Sequence, residues 1–275
     1  MQGCDSRCKA FYCSFVIVFP LHTSNLGGVL LSGRVKVHYL YHSGYAVQLD
    51  GRLLVFDYYL DKPDGKVRSL DTGVIEPEEI KGFETFVFSS HRHPDHFNPV
   101  IFSWSDQVPR IKYILSWDIP RRYHPGNIVM RPGDKAVPGE GIRIRTLKST
   151  DEGVAFLVEV NGMVIYHAGD LHWWHWEEES KAWNNDMAAR FKREMEQLKG
   201  AGIDIAFLAT DPRQESYWHL GAEYFIEHVG ARVIFPMHFG DDFGIMEAIQ
   251  QKKASHPGFG AIQPVTRRGA CFELF

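Results

Sequence analysis

The sequence predicts an α/β fold, and three observations carry that expectation. Strand-like runs dominate the first half, and strands alternate with helical stretches in the second. At 275 residues and 44% apolar content, the chain is also large enough to bury a full core as one domain.

Val35–Leu40, Ala46–Leu49 and Leu53–Tyr58 read as consecutive strands, with Asp50-Gly51 as a hairpin turn. Residues 61–82 are polar and rich in Gly, Pro and Asp, and are expected to form a loop beside the site. Glu84–Ser90 reads as a short buried strand ending in small polar residues. Lys112–Leu115, Asn127–Met130, Ile142–Leu147, Val154–Val160 and Met163–Tyr166 continue the strand pattern, and Asn161-Gly162 marks a second tight hairpin. Within 178–199, Trp183, Met187, Phe191, Met195 and Leu198 recur at helical spacing, a stripe read as core packing. Ile203–Leu208 and Arg232–Phe235 are expected strands, and Ala222–His228 and Phe243–Lys252 expected helices.

Residues 91–96 read His-Arg-His-Pro-Asp-His, four metal-capable side chains in six positions where a strand gives way to a loop. His91 and His93, two apart, share a face of an extended segment, and Asp95 and His96 can turn toward a second point close by. Imidazole and carboxylate together suit zinc, iron or manganese. A lone H-x-H is weak evidence, but four ligand types in this order are hard to explain as packing.

The stretch His91-Arg92-His93-Pro94-Asp95-His96 resembles the H-x-H-x-D-H signature of the metallo-β-lactamase superfamily. Val164–Asp170 resembles the family's strand and bridging aspartate, and Phe235–Gly240 its last histidine, His238. The likeness runs over about residues 35–275, and Tyr41-His42-Ser43-Gly44 is similar to an opening element of the short single-domain branch that includes ascorbate-6-phosphate lactonase. The resemblance implies a four-layer αββα sandwich over residues 34–275. It also implies a metal set of His91, His93, Asp95, His96, Asp170 and His238, holding one or two zinc ions, with manganese or iron as alternatives. In that scheme Asp170 bridges, and Asp95 accepts a proton or orients the attacking oxygen. Asp57 is then either a turn cap or a carboxylate that orients a metal-bound histidine.

One position departs from the pattern. The third histidine expected on the first metal falls on Lys148, and an ammonium has no free lone pair. Asp151 could supply an oxygen, or His172 or His175 of the loop Leu171–Trp176 could replace it, or the first metal is held weakly. The tryptophans of that loop, Trp173 among them, either cap a core or wall a substrate site. His167 is expected in the core or behind the ligands. Asp211 ends a strand and is expected to reach the cleft. Arg213 either binds an anionic group or forms a surface ion pair, and His42 either faces the cavity or is a buried histidine bonded to backbone.

A net charge of −4, with the 30 Lys and Arg scattered, disfavours a polynucleotide substrate. Three of the four cysteines fall in the first thirteen residues, which is no disulfide framework. A reducing, cytoplasmic setting is the simpler reading. The apolar stretch Phe11–Leu21 is too short to span a membrane, which takes ~20 residues. Because the resemblance begins only near Val35, residues 1–33 are read as a dispensable extension. The expected function is hydrolysis of a small ester, lactone or phosphodiester. The alternative is a degenerate member of the fold that binds without turnover because its metal set is incomplete.

Overall fold

The computed structural model describes residues 34–275, and the extension expected over residues 1–33 lies outside the described residues. β1 (Val35–Tyr41), β2 (Gly44–Leu49) and β3 (Arg52–Phe56) form an antiparallel meander. Asp50 and Gly51 both have positive φ (48° and 75°), the geometry that a two-residue hairpin turn demands. β4 (Glu84–Ser89), β5 (Ile111–Ser116) and β6 (Ile128–Met130) then add in parallel. The second sheet begins with an antiparallel run, β7 (Lys135–Gly139), β8 (Ile142–Lys148), β9 (Val154–Val160) and β10 (Met163–His167). β11 (Ile205–Ala209) and β12 (Val233–Met237) extend it in parallel from β10. β13 (Cys271–Leu274) returns to the first sheet beside β1. The two sheets are thus ordered β13-β1-β2-β3-β4-β5-β6 and β12-β11-β10-β9-β8-β7.

Strand parity sends side chains to two different cores. Leu54 and Phe56 of β3 and Phe86 and Phe88 of β4 enter the cluster shared by both sheets, whereas Leu53, Val55 and Val87 enter a separate cluster. The sheets meet face to face through aromatic pairs: Phe88 lies 5.2 Å from Phe156, and Tyr45 4.4 Å from Phe207, centroid to centroid. Truncating one such ring to alanine removes ~3–5 kcal/mol of stability. Outside the first sheet, Leu53, Val55, Val87 and Leu115 pack with Ile80 of the short helix α1 (Pro77–Ile80) and with Ile101 and Trp104 of the 3-10 turn Pro99–Asp106. Outside the second lie α2 (Lys181–Glu196), α3 (Leu220–His228) and α4 (Ile245–Ser255), with Phe225 of α3 stacked 5.6 Å from Tyr166 of β10. The result is the expected four-layer αββα sandwich.

Three expectations need correction. Residues 61–82 are not simply a polar loop, because Leu70, Val74, Ile75 and Ile80 are buried in the outer core of the first sheet. Strand β7, which carries no alternating apolar pattern, and the short β13, in which Phe272 and Leu274 alternate with Cys271 and Glu273, were not expected. The helical stripe 183–198 is core as expected from Met187 onward, Met187 packing with Trp174 and Ala209 while Phe191, Met195 and Leu198 join the main cluster, but Trp183 is only partly buried. At the N-terminal end, Trp183 and Met187 line a cavity.

Candidate metal centre

Strand register brings the polar residues together at one edge of the sandwich. Parallel pairing of β3 with β4 sets Phe56 beside Phe88, so Asp57 leaves its strand next to Ser90, just ahead of the His91–His96 loop. Pairing of β11 with β12 sets Ala209 beside Met237, so the next turns deliver Asp211 and His238 side by side. Asp170 follows β10, and the β1–β2 turn carries His42. His42, Asp57 and His238 all have positive φ (55°, 44° and 68°), a left-handed conformation that costs non-glycine residues ~1–3 kcal/mol each and clusters at functional sites.

Three histidines have one ring nitrogen tied down, leaving the other directed at a shared point. His96 Nδ1 lies 2.8 Å from Asp57 Oδ2, and His238 Nδ1 lies 2.9 Å from Asp211 Oδ2. The Asp57 carboxylate also accepts from the Ser90 N–H (2.7 Å) and hydroxyl (2.6 Å). With the hydroxyl proton so committed, Ser90 Oγ can accept from His91 Nδ1 at 3.0 Å. In each ring, then, Nδ1 carries the proton and Nε2 presents a lone pair. Those lone pairs converge on Asp170, whose carboxylate oxygens lie 3.3 Å from His91 Nε2, 3.2 Å from His96 Nε2 and 3.3 Å from His238 Nε2.

Such a set fits a divalent ion. His96 Nε2, His238 Nε2 and Asp170 Oδ1 are buried and make no hydrogen bond. Leaving each unpaired costs ~1–3 kcal/mol, a penalty that an ion among them removes. Tetrahedral donors ~2.0–2.1 Å from an ion stand ~3.3 Å apart, which matches the separations above. Among the described residues, three groups each bring their donor atoms within 4.8 Å of one another: His91, His96 and Asp170; His93, Asp151 and Asp170; and His42, Asp95, His96 and His238.

The electrostatics agree. Burial pushes the His91 and His42 imidazoles below the ordinary histidine value and His96 down to about 4. Burial opposes ionisation of Asp170, yet His96 and His238 hold its carboxyl well below the usual range. Asp95 is likewise held low, the facing His42 and His96 outweighing its burial. His238 is the exception: burial lowers it, but Asp170 and Asp211 on its two sides raise it to about 10, so without a cation its Nε2 holds a proton toward Asp170, and an ion entering there takes that proton's place.

The remaining sequence candidates divide. Asp151 comes into the cluster, its Oδ2 lying 3.8 Å from His93 Nδ1, while the exposed Lys148 lines a different cavity. His172 and His175 do not reach the donors. His172 Nε2 bonds Gln214 Oε1 at 2.7 Å, which turns the ring away, and the His175 ring packs 4.0 Å from Tyr217. Trp173 also faces away, packing on Phe191 and Tyr224 beneath Lys192. His167 is core: its ring stacks on Phe56 and its Nε2 bonds the Ser43 carbonyl. Arg213 is an ion-pair residue, but its partner is the buried Asp211.

A cavity of about 290 Å³ opens onto the donors, lined by His93, Asp95, Asp151, Asp170, His238, Arg213, Trp174, Trp176, Trp183 and Met187. Trp174 anchors the wall, its indole N–H donating to the Asp170 carbonyl at 3.1 Å. Sequence reasoning put the loop's tryptophans at the site mouth but singled out the wrong one, and it read Trp183, which lines the cavity, as core packing. Ser90 and Thr150 were missed. Thr150 Oγ1 donates to the His172 carbonyl at 2.7 Å and accepts from the His172 N–H at 3.0 Å, which fixes the loop after β10.

No family model matches the chain, and no curated protein matches it. Solved structures do. A metallo hydrolase from the hyperthermophilic archaeon Ignicoccus hospitalis superposes with a TM-score of 0.60 at 20% identity, covering 88% of this chain and 99% of its own. The metallo-β-lactamase fold protein YhfI from Bacillus subtilis gives 0.54 at 16% identity, over 88% of this chain and 100% of its own. A mutant of the β-hydroxylase CmlA gives 0.52 at 11% identity, over 87% of this chain and 54% of its own. Two face-to-face mixed sheets between helical layers, superposing on the first two of these proteins over nearly their whole length and on about half of the third, establish that this chain has the metallo-β-lactamase fold.

Proposed function

We propose that the chain is a metal-dependent hydrolase of a small molecule carrying an ester, lactone or phosphodiester. The observation that carries this reading is the meeting of three unpartnered buried atoms, His96 Nε2, His238 Nε2 and Asp170 Oδ1, beside a cavity that Asp170 and His238 line. His91, His93, Asp151 and Asp170 would hold one ion, and Asp95, His96, His238 and Asp170 the other, zinc being the first choice for so many imidazoles. When bound, such an ion lowers the pKa of water from about 15.7 toward ~7 and stabilises negative charge on the scissile group.

The protein's own groups do the rest. Asp57 and Asp211 keep the Nδ1 protons in place, so His96 and His238 present lone pairs in a fixed orientation. Asp95 borders the cavity, and its carboxyl, held well below the usual range, is a poor proton acceptor but a strong hydrogen-bond acceptor. Its role is accordingly to orient the attacking oxygen. Arg213 adds positive charge to the cavity wall and favours an anionic substrate group. Trp174, Trp176 and Trp183 favour a substrate with a planar or apolar portion and exclude bulk water.

The test is metal analysis of the purified chain followed by assay on bis-p-nitrophenyl phosphate and a panel of lactones. Turnover that disappears on chelation and in His93→Ala, and returns with added zinc or manganese, supports the proposal. Retention of ions with no turnover on any ester, lactone or phosphodiester overturns it in favour of a binding protein built on this fold.

A further inference from the structure

His42 stands outside the donor set assigned above, and its placement is unusual. It occupies the β1–β2 turn at φ 55°, where an L-residue is strained. Its backbone is fastened on both sides, the N–H donating to Tyr39 Oη at 2.8 Å and the carbonyl accepting from the His238 N–H at 3.1 Å. The second bond ties the turn of the first sheet directly to a donor residue of the other sheet. The ring is thereby brought to 4.1 Å from the His238 ring and 5.6 Å from that of His96, centroid to centroid.

Nε2 of this ring is buried and makes no hydrogen bond. The nearest carboxylate oxygen, Asp95 Oδ2, is 3.5 Å away and is not hydrogen-bonded to it. Together with donor atoms of Asp95, His96 and His238 it forms a group within 4.8 Å. An imidazole nitrogen stripped of water, facing the nitrogens of His96 and His238 and with the Asp95 carboxylate only at ion-pair distance, has no hydrogen-bond partner in the protein, and a cation shared with Asp95 completes it. The other ring nitrogen makes no hydrogen bond among the described residues, and the side chain keeps 13% exposure, so that nitrogen can hold its proton against water.

We infer that His42 is a direct ligand of the ion held by Asp95, His96 and His238. The inference rests on the reading of the cluster as a metal centre and adds a third nitrogen to one side of it. The two ion positions then differ in kind. One is drawn from three imidazoles with Asp95 and Asp170, and the other from two imidazoles with Asp151 and Asp170. Nitrogen-rich surroundings favour zinc, while added carboxylate favours a harder ion such as manganese, so the two positions should load in sequence.

The experiment uses the full chain and the substitution His42→Gly. Glycine adopts φ 55° without strain, and the missing ring leaves a space that free imidazole can enter. Zinc affinity is measured by competition with a chromophoric chelator, and the coordination of cobalt(II) is followed by its visible absorption. If His42 is a ligand, H42G keeps the metal-free melting temperature of the wild type but binds its tighter zinc at least about tenfold more weakly, an effect of the size metal-site substitutions produce. Its cobalt spectrum shifts, and millimolar imidazole restores both properties in part. Wild-type zinc affinity with an unchanged cobalt spectrum in H42G overturns the inference and leaves the metal centre standing. Failure of the wild type itself to retain zinc or cobalt overturns the metal centre and this inference together. Should H42G not fold, His42→Asn, which also tolerates the left-handed region, is judged by the same two readouts.

Discussion

The Asp211 carboxylate lies 2.9 Å from Nδ1 of His238, as the Asp57 carboxylate lies 2.8 Å from Nδ1 of His96. Two donors on different sheets are thus oriented by the same device. Both carboxylates are fully buried and neither lines the cavity, so each acts through its histidine. Asp211→Asn should leave the fold intact and weaken ion retention by about 10- to 100-fold. Equilibrium dialysis against a competing chelator measures this. Unchanged retention would show that the His238 ring needs no such support.

Removing the ions should lower stability. A ligand that binds only the native state adds ~2.7 kcal/mol at a hundred times its dissociation constant. The melting temperature should therefore fall on treatment with a strong chelator and rise with the concentration of zinc added back. A melting temperature indifferent to chelator and zinc would contradict the proposed centre.

Gly153 has φ +70°, and a Cβ on it would sit 2.0 Å from the Ser90 carbonyl oxygen and 2.5 Å from His91 Cβ. Neither neighbour can yield, since Ser90 is held by Asp57 and its carbonyl accepts from the Val154 N–H. Gly153→Ala should cost more than about 2 kcal/mol by denaturant titration and should also displace His91, with loss of bound metal. A stable, metal-loaded variant would mean that the Asp151–Gly153 turn is freer than the packing indicates.

His172 gives a pH dependence with a defined sign. Burial lowers its pKa to about 4, against an ordinary value near ~6.5. Between those values the unfolded chain binds a proton that the native protein refuses. The stabilising contribution is complete above pH ~6.5 and is lost as the pH falls toward about 4, a change on the order of 3 kcal/mol. Urea titrations of metal-free protein at pH 7 and pH 5 should show wild type losing more stability than His172→Gln. Equal losses would assign the acid sensitivity to other groups.

Much of this was legible in the chain because the relevant signals are local. Asp50-Gly51 and Asn161-Gly162 take the positive φ values that their composition suggests, and His91, His93, Asp95 and His96 lie within six residues of one another. What was not legible depends on partners distant in sequence. β13 pairs with β1 from the other end of the chain, and β7, with Pro138 and Gly139 at the margin of its sheet, has no alternating pattern to show. The mutual placement of Asp211 and His238 follows from the parallel register Ala209–Met237, which neither segment encodes alone. The aromatic loop after Asp170 was recognisable as a wall, but which indole faces the cavity depends on Thr150 and Gln214, whose side chains bond its backbone.

The donors come from both halves of the sandwich. His42, His91, His93, Asp95 and His96 follow strands of one sheet, and Asp151, Asp170 and His238 follow strands of the other. A cation seated among them is a rivet through the seam where the halves abut. Substitutions deep in the Phe88–Phe156 or Tyr45–Phe207 contacts, far from any reacting atom, would spread that seam and blunt the chemistry while leaving every polar side chain in place.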